Sequence, residues 1–389
     1  MRNPLSNKVT ALEPSGIRKF FDIVSEMPDA ISLGVGEPDF DTPWHIRKEG
    51  ITSLEKGRTF YTSNLGLKEL RTEICSYLKR RYGLSYVWNK QILVTVGGSE
   101  AIDMALRAML NSGDEVIIPQ PSYVSYLPCT VMADGVPVIL ELEEKDNFKV
   151  TREKLLGCIT PKTKVLIMPF PNNPTGSIMT KEDLEDIVDI IIENDIYVIS
   201  DEIYSELSYK GDHVSIASLP GMYDRTIVIN GFSKSFAMTG WRLGYAAGPE
   251  LIIEQMVKLH QYAIMCAPTT SQYAAVQALR NGEDDVEMMR DAYNQRRRYL
   301  LSCMREMNLE CFEPFGAFYI FPNIKRLGMS SDEFALRLLK EEKVAVVPGT
   351  AFGKCGEGFI RISYAYSLDN LKTAIERVKH FINRLDLGE

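Results

Sequence analysis

Four side chains suited to covalent and acid–base chemistry follow apolar segments in the middle of the sequence. Asn173 follows KVLIMP, Asp201 and Tyr204 follow IYVIS, and Lys234 follows TIVIN. These positions lie about one strand–helix repeat apart, and open parallel sheets bind ligands at the carboxyl ends of their strands. We therefore expect one pocket that combines an amine, a carboxylate, a phenol and an amide, as nucleophilic and acid–base catalysis requires.

The segments around these residues alternate between two patterns, which indicates the elements that must position them. Helical periodicity occurs around 66–82, 99–112, 181–194 and 249–264, and short apolar runs occur at ILVTV, EVIIP, KVLIMP, IYVIS, TIVIN and RLGYAA. Helices that alternate with buried strands are typical of an α/β domain with a mainly parallel sheet. We predict that this large domain spans residues 46–285.

The rest of the sequence predicts a smaller α+β domain at residues 286–389, to which an amino-terminal arm at 1–45 contributes a part. We expect a charged helix near 283–307, a last helix at about 367–385, and strands at GAFYIFP, VAVVPG and FIRISYA. The arm should contain a helix at 14–27. No repeat or flexible linker separates the regions, so we expect them to pack closely.

Composition argues against several classes of protein. The net charge is −8, whereas nucleic-acid-binding proteins usually gather Lys and Arg into a basic surface. The seven cysteines are scattered and form no C-x-x-C pair, which is typical of reduced thiols in the cytoplasm. No apolar run is long enough to cross a membrane, and the four histidines lack the H-x-x-x-H spacing of a zinc site. We expect a cytoplasmic enzyme that acts on small molecules and uses no metal.

Several motifs spread over nearly the whole chain carry a resemblance to a known enzyme family. They are ISLGVGEPDFDTP, YTSNLGLKELR, PNNPTG, SDEIY, NGFSKSFAMTGWRLGY, GAFYIFP and VPGTAFG, and they occur in the family's order with similar spacing. In these motifs the sequence resembles the fold-type-I, class I aminotransferases, and especially the aromatic and aspartate aminotransferases of archaea and bacteria. The resemblance implies a seven-stranded, mainly parallel sheet and the cofactor pyridoxal 5′-phosphate.

The resemblance assigns the four central residues to this cofactor. Lys234 corresponds to the lysine that joins the cofactor as a Schiff base and carries a proton from the substrate's Cα. An ordinary lysine, with a pKa of about 10.4, is a poor base at neutral pH, so burial and cationic neighbours must favour its neutral form. Asp201 corresponds to the carboxylate that keeps the pyridine nitrogen protonated. Tyr204 and Asn173 correspond to the groups that hydrogen-bond to the phenolic oxygen.

A phosphate site is also implied by the resemblance. The Gly-rich turn after ILVTV corresponds to the family's phosphate-binding loop, and backbone N–H groups at the start of a helix can bind an anion. Ser233 and Arg242 would complete this site, Tyr123 would stack on the cofactor ring, and Tyr61 would reach the phosphate of a neighbouring subunit. The further predicted cofactor residues are therefore Gly98, Ser99, Glu100, Tyr123, Ser233, Arg242 and Tyr61. The position of Tyr61 implies a homodimer with shared active sites.

The substrate site is implied by the same resemblance. Arg361, in GFIRISYA, corresponds to the arginine that binds the substrate α-carboxylate through two hydrogen bonds, assisted by Asn173 and by the backbone near Gly36. Amino acids and 2-oxo acids both have this carboxylate, so one site can serve both halves of a ping-pong transamination. We predict amino-group transfer from an amino acid to a 2-oxo acid such as 2-oxoglutarate, with an aromatic donor suggested by resemblance alone.

Other functions remain open at the level of the sequence. Aspartate or an N-acetyl-diaminopimelate-type donor would need a second cation for its side-chain carboxylate, and the sequence does not identify one. C–S β-lyases remove the same Cα proton and then eliminate at Cβ. Transcription regulators that carry an aminotransferase-like sensor domain need a basic helix-turn-helix segment, for which the amino end offers only a few dozen residues.

Each site residue also has a purely structural interpretation. Asp201 suits a helix cap, Asn173 suits a turn, and Lys234 and Arg242 suit a solvated surface. Their arrangement after successive strands favours a shared site. The GVG at 34–36 lacks the rest of a dinucleotide-binding G-x-G-x-x-G loop, so we do not interpret it as a nucleotide site.

Overall fold

A seven-stranded sheet organises the protein in a computed structural model that describes residues 2–14, 16, 27 and 29–387. Its strands are β2 Ile92–Thr95, β3 Glu115–Gln120, β4 Val136–Glu141, β5 Thr163–Met168, β6 Tyr197–Asp201, β7 Thr226–Gly231 and β8 Gly244–Ala247. The strand order is β2-β8-β7-β6-β5-β3-β4, and only β8 runs antiparallel to its neighbours. The predicted α/β class with a mainly parallel, seven-stranded sheet is confirmed.

The central strands are apolar because both of their faces are covered. Every residue of β2, β7 and β8 is buried, as expected for strands with helices on both sides. Alternate residues enter different clusters: Leu93 packs on one face, while Ile92 and Val94 pack on the other. The six predicted apolar runs are all strands in the structure.

Strand β4 is the one member of the sheet that we did not predict. It lies at the edge, only one of its six residues is fully buried, and it contains Pro137. Proline lacks the N–H needed in a sheet ladder and is tolerated on edge strands. This proline interrupts the apolar run VPVIL, which weakens the sequence signal for a strand.

Helices cover the two faces of this sheet. They are α2 Trp44–Glu55, α3 Lys68–Tyr82, α4 Gly98–Met109, α5 Tyr126–Met132, α6 Arg152–Cys158, α7 Lys181–Glu193, α8 Glu250–Ala263 and α9 Thr269–Asn281. The buried side chains of α4, α5 and α8 share one cluster with the sheet, whereas those of α3 and α9 pack on the opposite face. A short helix, α1 Asn7–Thr10, lies near the amino end. The helix predicted at 14–27 falls mostly outside the described residues.

A second, mixed region follows the large sheet in the chain. Its helices are α10 Glu283–Glu306, α11 Ser331–Glu342 and α12 Leu368–Asp386, and its strands are β9 Tyr319–Ile320, β10 Val344–Ala345, β11 Val347–Pro348 and β12 Ile360–Ser363. Strands β11, β12 and β9 form an antiparallel sheet in that order. The amino-terminal strand β1 Ile31–Ser32 pairs with β10 in parallel. The division of the chain at residues 45 and 285 stays a prediction.

The topology brings several strand ends to one edge of the large sheet. Strands β5, β6 and β7 run in parallel, and β2 has the same direction because β8 reverses between β7 and β2. The segments after β2, β5, β6 and β7 therefore meet with the start of β8, where open sheets bind their ligands. None of the helices in the described ranges is long and apolar enough to cross a membrane.

Candidate active site

A cavity of about 330 Å³ lies at this edge of the sheet. The predicted site residues other than Glu100 and Tyr61 all line it, namely Gly36, Gly98, Ser99, Tyr123, Asn173, Asp201, Tyr204, Ser233, Lys234, Arg242 and Arg361. Arg361 comes from β12 in the mixed region, whereas Asp201 ends β6 in the large sheet. The site is thus built by both regions of the chain.

Lys234 follows β7 and presents its amine to the cavity. Its Nζ donates a hydrogen bond to the carbonyl oxygen of Gly36 at 2.6 Å. Burial, opposed by Glu37 and assisted by the cations Arg361 and Arg242, lowers the pKa of Lys234 to about 8. The amine therefore has the reduced basicity that the sequence analysis required of a nucleophilic lysine.

Asp201 lies at the carboxyl end of β6, where Tyr126 holds its carboxylate. The Tyr126 hydroxyl donates to Oδ2 at 2.7 Å, and the backbone N–H of Ile203 donates to Oδ1 at 3.2 Å. Burial raises the pKa of Asp201, while the hydrogen bond from Tyr126 opposes this rise. Tyr126 was missed by the sequence analysis, although it stands in the same PSYVSY motif as Tyr123.

Arg361 lies close to Asn173 and to the amino-terminal connector. Its Nη1 donates to Asn173 Oδ1 at 2.8 Å, and its Nη2 donates to the carbonyl oxygen of Gly34. Its Nε is buried and has no hydrogen-bond partner in the described part of the chain. A buried guanidinium with an unused donor is suited to a planar anion such as a carboxylate.

Donors for a second anion gather at the start of α4. The residue before this helix, Gly97, has φ +80°, and a Cβ added there would lie 2.9 Å from Arg242 Nη2. The Ser99 hydroxyl lies in the first turn, 3.3 Å from the Tyr123 hydroxyl, and Ser233 lines the same cavity. A helix amino terminus, serine hydroxyls and a guanidinium together form a phosphate-binding arrangement.

Comparison with known proteins decides what this site belongs to. A family model described as aminotransferase class I and II matches residues 28–378. An aspartate aminotransferase from Pyrococcus abyssi is 48% identical over 98% of this chain and 99% of its own. An aromatic-amino-acid aminotransferase from Thermococcus litoralis is 45% identical, also over 98% of this chain and 99% of its own. The chain belongs to the class I and II aminotransferases.

A solved structure agrees with this family assignment. The crystal structure of an aromatic aminotransferase from Pyrococcus horikoshii superimposes with a TM-score of 0.91 at 47% identity. The match covers 95% of this chain and 100% of that chain. The predicted fold type and the predicted enzyme class are both confirmed.

Aminotransferases of this family depend on pyridoxal phosphate, and the cavity fits that cofactor. Gly97 leaves room beside Arg242 that a side chain would fill, which suits the approach of a phosphate. Lys234 offers an amine of lowered pKa to an aldehyde, and Asp201 offers a carboxylate to a cationic ring nitrogen. The cofactor predicted from the sequence is thus supported by both the family and the lining residues.

Glu100 does not bring its side chain to the cavity of this aminotransferase. Its carboxylate accepts a hydrogen bond from the backbone N–H of Val96 and lies 3.0 Å from His260 Nδ1 on α8. The side chain therefore ties the start of α4 to its neighbours and keeps its negative charge turned from the proposed phosphate site. Only the backbone N–H of Glu100, in the first turn of the helix, remains available for the predicted role.

Tyr61 lies outside the cavity within this subunit. Its side chain is 79% exposed, next to Phe60, which is 81% exposed. The hydroxyl of Thr269 donates to the carbonyl oxygen of Phe60 at 2.8 Å, so this exposed segment is anchored to α9. Tyr61 therefore does not line the cavity of its own subunit, and its exposed side chain is available to contact another subunit.

Proposed function

We propose that this aminotransferase transfers the amino group of an L-amino acid, preferably an aromatic one, to a 2-oxo acid such as 2-oxoglutarate by a ping-pong mechanism. The observation that carries the proposal is the shared cavity, in which Lys234, Asp201 and Arg361 face one another. An amine, a buried carboxylate and a carboxylate-binding guanidinium are the groups that this reaction requires. Amino acids and 2-oxo acids are the substrates that transamination implies.

The cofactor side of the reaction is assigned to four residues. When bound, pyridoxal phosphate supplies an aldehyde for covalent attachment and a ring that accepts electrons from the substrate's Cα. Lys234 would hold the aldehyde and later move the Cα proton, since its lowered pKa leaves a useful fraction neutral. Asp201 would keep the ring nitrogen protonated, and Tyr204 and Asn173 would donate hydrogen bonds to the phenolic oxygen.

The phosphate would be held at the start of α4. Gly98 and Glu100 would contribute backbone N–H groups, and Ser99 and Ser233 would contribute hydroxyls. Arg242 would supply the positive charge, since its guanidinium lies beside Gly97. Tyr123 would stack on the ring, as its place in the cavity wall permits.

The substrate side favours a donor with an uncharged, aromatic side chain. Among the described residues, the cations that line the cavity are Lys234, Arg242 and Arg361, and each already has a proposed partner. The walls contain four tyrosines, of which Tyr123 and Tyr204 are assigned to the cofactor and Tyr126 and Tyr319 are not. Aromatic walls suit an aromatic side chain, whereas aspartate would need a further cation.

A homodimer with shared active sites is proposed from the exposed aromatic surface. Phe60, Tyr61 and Tyr262 are 81%, 79% and 87% exposed, and Asn64 Nδ2 donates to the carbonyl oxygen of Met265 at 2.9 Å, which joins the two segments. Grouped, exposed aromatic side chains are typical of protein interfaces. In such a dimer Tyr61 would reach the phosphate site of the other subunit.

The cytoplasm is the proposed location of the protein. All seven cysteines have free thiols. Thiols remain reduced in cytosolic proteins, whereas secreted proteins tend to form disulfides.

A panel of amino donors tests the proposed function. We expect tyrosine or phenylalanine, offered with 2-oxoglutarate, to yield the matching 2-oxo acid and glutamate at a higher kcat/KM than aspartate does. A preference for aspartate or N-acetyl-diaminopimelate would contradict the proposed aromatic donor but leave the proposed transamination intact. Release of pyruvate and ammonia from cystathionine, without transamination of any donor, would show that the reaction is C–S β-elimination and not transamination.

Replacement of Arg361 with lysine should weaken the binding of both substrates. A lysine offers a point charge instead of paired N–H groups, and hydrogen bonds to charged groups contribute about 1.5–3 kcal/mol each. We expect kcat/KM for donor and acceptor to fall about 10- to 100-fold, mainly through KM, in steady-state assays. Arg337→Lys, in the surface pair with Glu341 at 2.7 Å, is the control and should behave as wild type. An effect on one substrate alone would argue against a common carboxylate site.

The lowered pKa of Lys234 predicts how cofactor attachment depends on pH. Only the neutral amine attacks an aldehyde, and a pKa of about 8 leaves about one tenth of Lys234 neutral at pH 7. The rate at which the cofactor-free protein attaches pyridoxal phosphate should rise about tenfold per pH unit below pH 7 and level off above about pH 8. Stopped-flow absorbance between pH 6 and 10 measures this rate. A rise that continues to pH 10 would show an unperturbed lysine.

A further inference from the structure

Tyr319 contacts three parts of the active site at once. Its hydroxyl lies 2.8 Å from the hydroxyl of Tyr204, and the guanidinium carbon of Arg361 lies 4.4 Å from its ring centroid. A Cβ added to Gly36 would collide with its hydroxyl. The side chain is 1% exposed, so these contacts are shielded from water.

The two regions of the chain meet at this residue. Tyr319 stands on β9 directly opposite Ser363 of β12, so it shares a face with Arg361, two residues before Ser363. Tyr204 follows β6 of the large sheet. Tyr319 therefore joins the proposed carboxylate-binding arginine to the proposed cofactor-binding tyrosine.

The surroundings of the two phenols indicate the direction of their hydrogen bond. Arg361 stacks on the face of Tyr319 at 4.4 Å, whereas Lys234 Nζ lies 5.9 Å from the ring centroid of Tyr204. A cation over an aromatic face stabilises the phenolate form and makes the phenol a better donor. Tyr319 then donates to the oxygen of Tyr204, and the Tyr204 hydrogen stays free to point into the cavity.

We propose that Tyr319 is a positioning residue that makes Tyr204 a stronger hydrogen-bond donor toward the cofactor. Hydrogen bonds in a chain polarise one another, so a phenol that accepts a bond donates more strongly. The inference rests on the proposed function, in which Tyr204 donates to the phenolic oxygen of the bound cofactor. It adds a residue that touches neither that oxygen nor the reacting atoms.

The pH midpoint of the bound cofactor's visible absorbance tests this proposal without any turnover. A weaker donor at Tyr204 stabilises the phenolic anion less, so the midpoint rises. We expect Tyr319→Phe to raise it by about 0.5 unit and Tyr204→Phe to raise it by about 1 unit. The double variant should match Tyr204→Phe alone, because Tyr319 acts through the lost hydroxyl.

Two further variants protect the test against a trivial loss of packing. Tyr293 is buried in the same core, and its hydroxyl has no hydrogen-bond partner among the residues described, so Tyr293→Phe should leave the midpoint unchanged. Incorporation of 3-fluorotyrosine at position 319 keeps the hydroxyl and makes it a better donor. It should lower the midpoint, and it replaces Tyr319→Phe if that variant does not fold.

The outcomes separate this proposal from the proposed function. A wild-type protein that forms no visible absorbance band with pyridoxal phosphate would overturn both. If the wild-type band has a measurable pH midpoint and Tyr319→Phe changes that midpoint by less than about 0.1 unit, only the role of Tyr319 is overturned. The role of Tyr319 would also be overturned if Tyr319→Phe shifted the midpoint equally in the wild type and in Tyr204→Phe, because the two residues would then act separately.

Discussion

Replacement of Lys234 with alanine should abolish transamination, with a loss in kcat on the order of 10⁴-fold. The amine is the one nucleophile among the residues that line the described cavity whose pKa is lowered toward neutrality, by burial first and then by Arg361 and Arg242. None of the other described residues that line the cavity offers both a nucleophile and a base at this position. Borohydride reduction followed by peptide mapping should find the cofactor attached at Lys234 in the wild type.

A surface lysine provides the matched control for this variant. Lys258 is exposed on α8 and, within the described part of the chain, its Nζ hydrogen-bonds only to Gln255, at 2.8 Å, so Lys258→Ala should keep wild-type activity and labelling. Retention of more than about one hundredth of wild-type kcat by Lys234→Ala would contradict the assigned role. So would reductive attachment of the cofactor at another lysine.

The location of the site could be predicted because sheet geometry dictates it. Asn173, Asp201 and Lys234 follow three successive parallel strands, and the strand ends of an open sheet meet at one edge. Arg361 was located by resemblance, and its packing against Asn173 depends on contacts between two distant parts of the chain. Local periodicity carries no information about such a contact.

The residues that hold the site residues in place could not be predicted in the same way. Tyr126 and Tyr319 occur in apolar surroundings where aromatic side chains usually pack, and their hydroxyl contacts exist only after folding. The direction of the Glu100 side chain also depends on tertiary structure, because His260 approaches from another helix. Sequence patterns report which face of an element is buried, whereas these roles depend on single atoms.

Burial disfavours the charged form of both central groups of the site, which suits the proposed task of Lys234 but opposes that of Asp201. Burial lowers the pKa of Lys234 and raises the pKa of Asp201, so the neutral form of each group is favoured when no partner is present. A cationic ring beside Asp201 would stabilise the ionised form of its side chain. The charge of Asp201 is thus expected to depend on the cofactor that it binds.

This reciprocity makes Asp201→Asn the second variant with a large expected effect. Asparagine has nearly the same shape, and it removes the negative charge that keeps the ring nitrogen protonated. Loss of one member of a buried charge pair costs about 3–5 kcal/mol, which corresponds to about 10²- to 4 × 10³-fold. We expect kcat to fall by that factor and the dissociation constant of the cofactor to rise, measured by single-turnover absorbance and by equilibrium titration.

The contacts of Asp201 allow the charge to be separated from the shape of the site. Asp195→Asn changes a carboxylate that is 86% exposed, just before the same strand, and should leave both quantities unchanged. Tyr126→Phe keeps the Asp201 charge but removes its hydrogen bond of 2.7 Å, so it should cost about 10- to 100-fold, as expected for one hydrogen bond to a charged group. If Tyr126→Phe were as damaging as Asp201→Asn, orientation of the carboxylate would be the controlling factor. If Asp201→Asn lost less than about tenfold in kcat, the carboxylate would not set the ring's charge, and the proposed electron acceptor would lack its support.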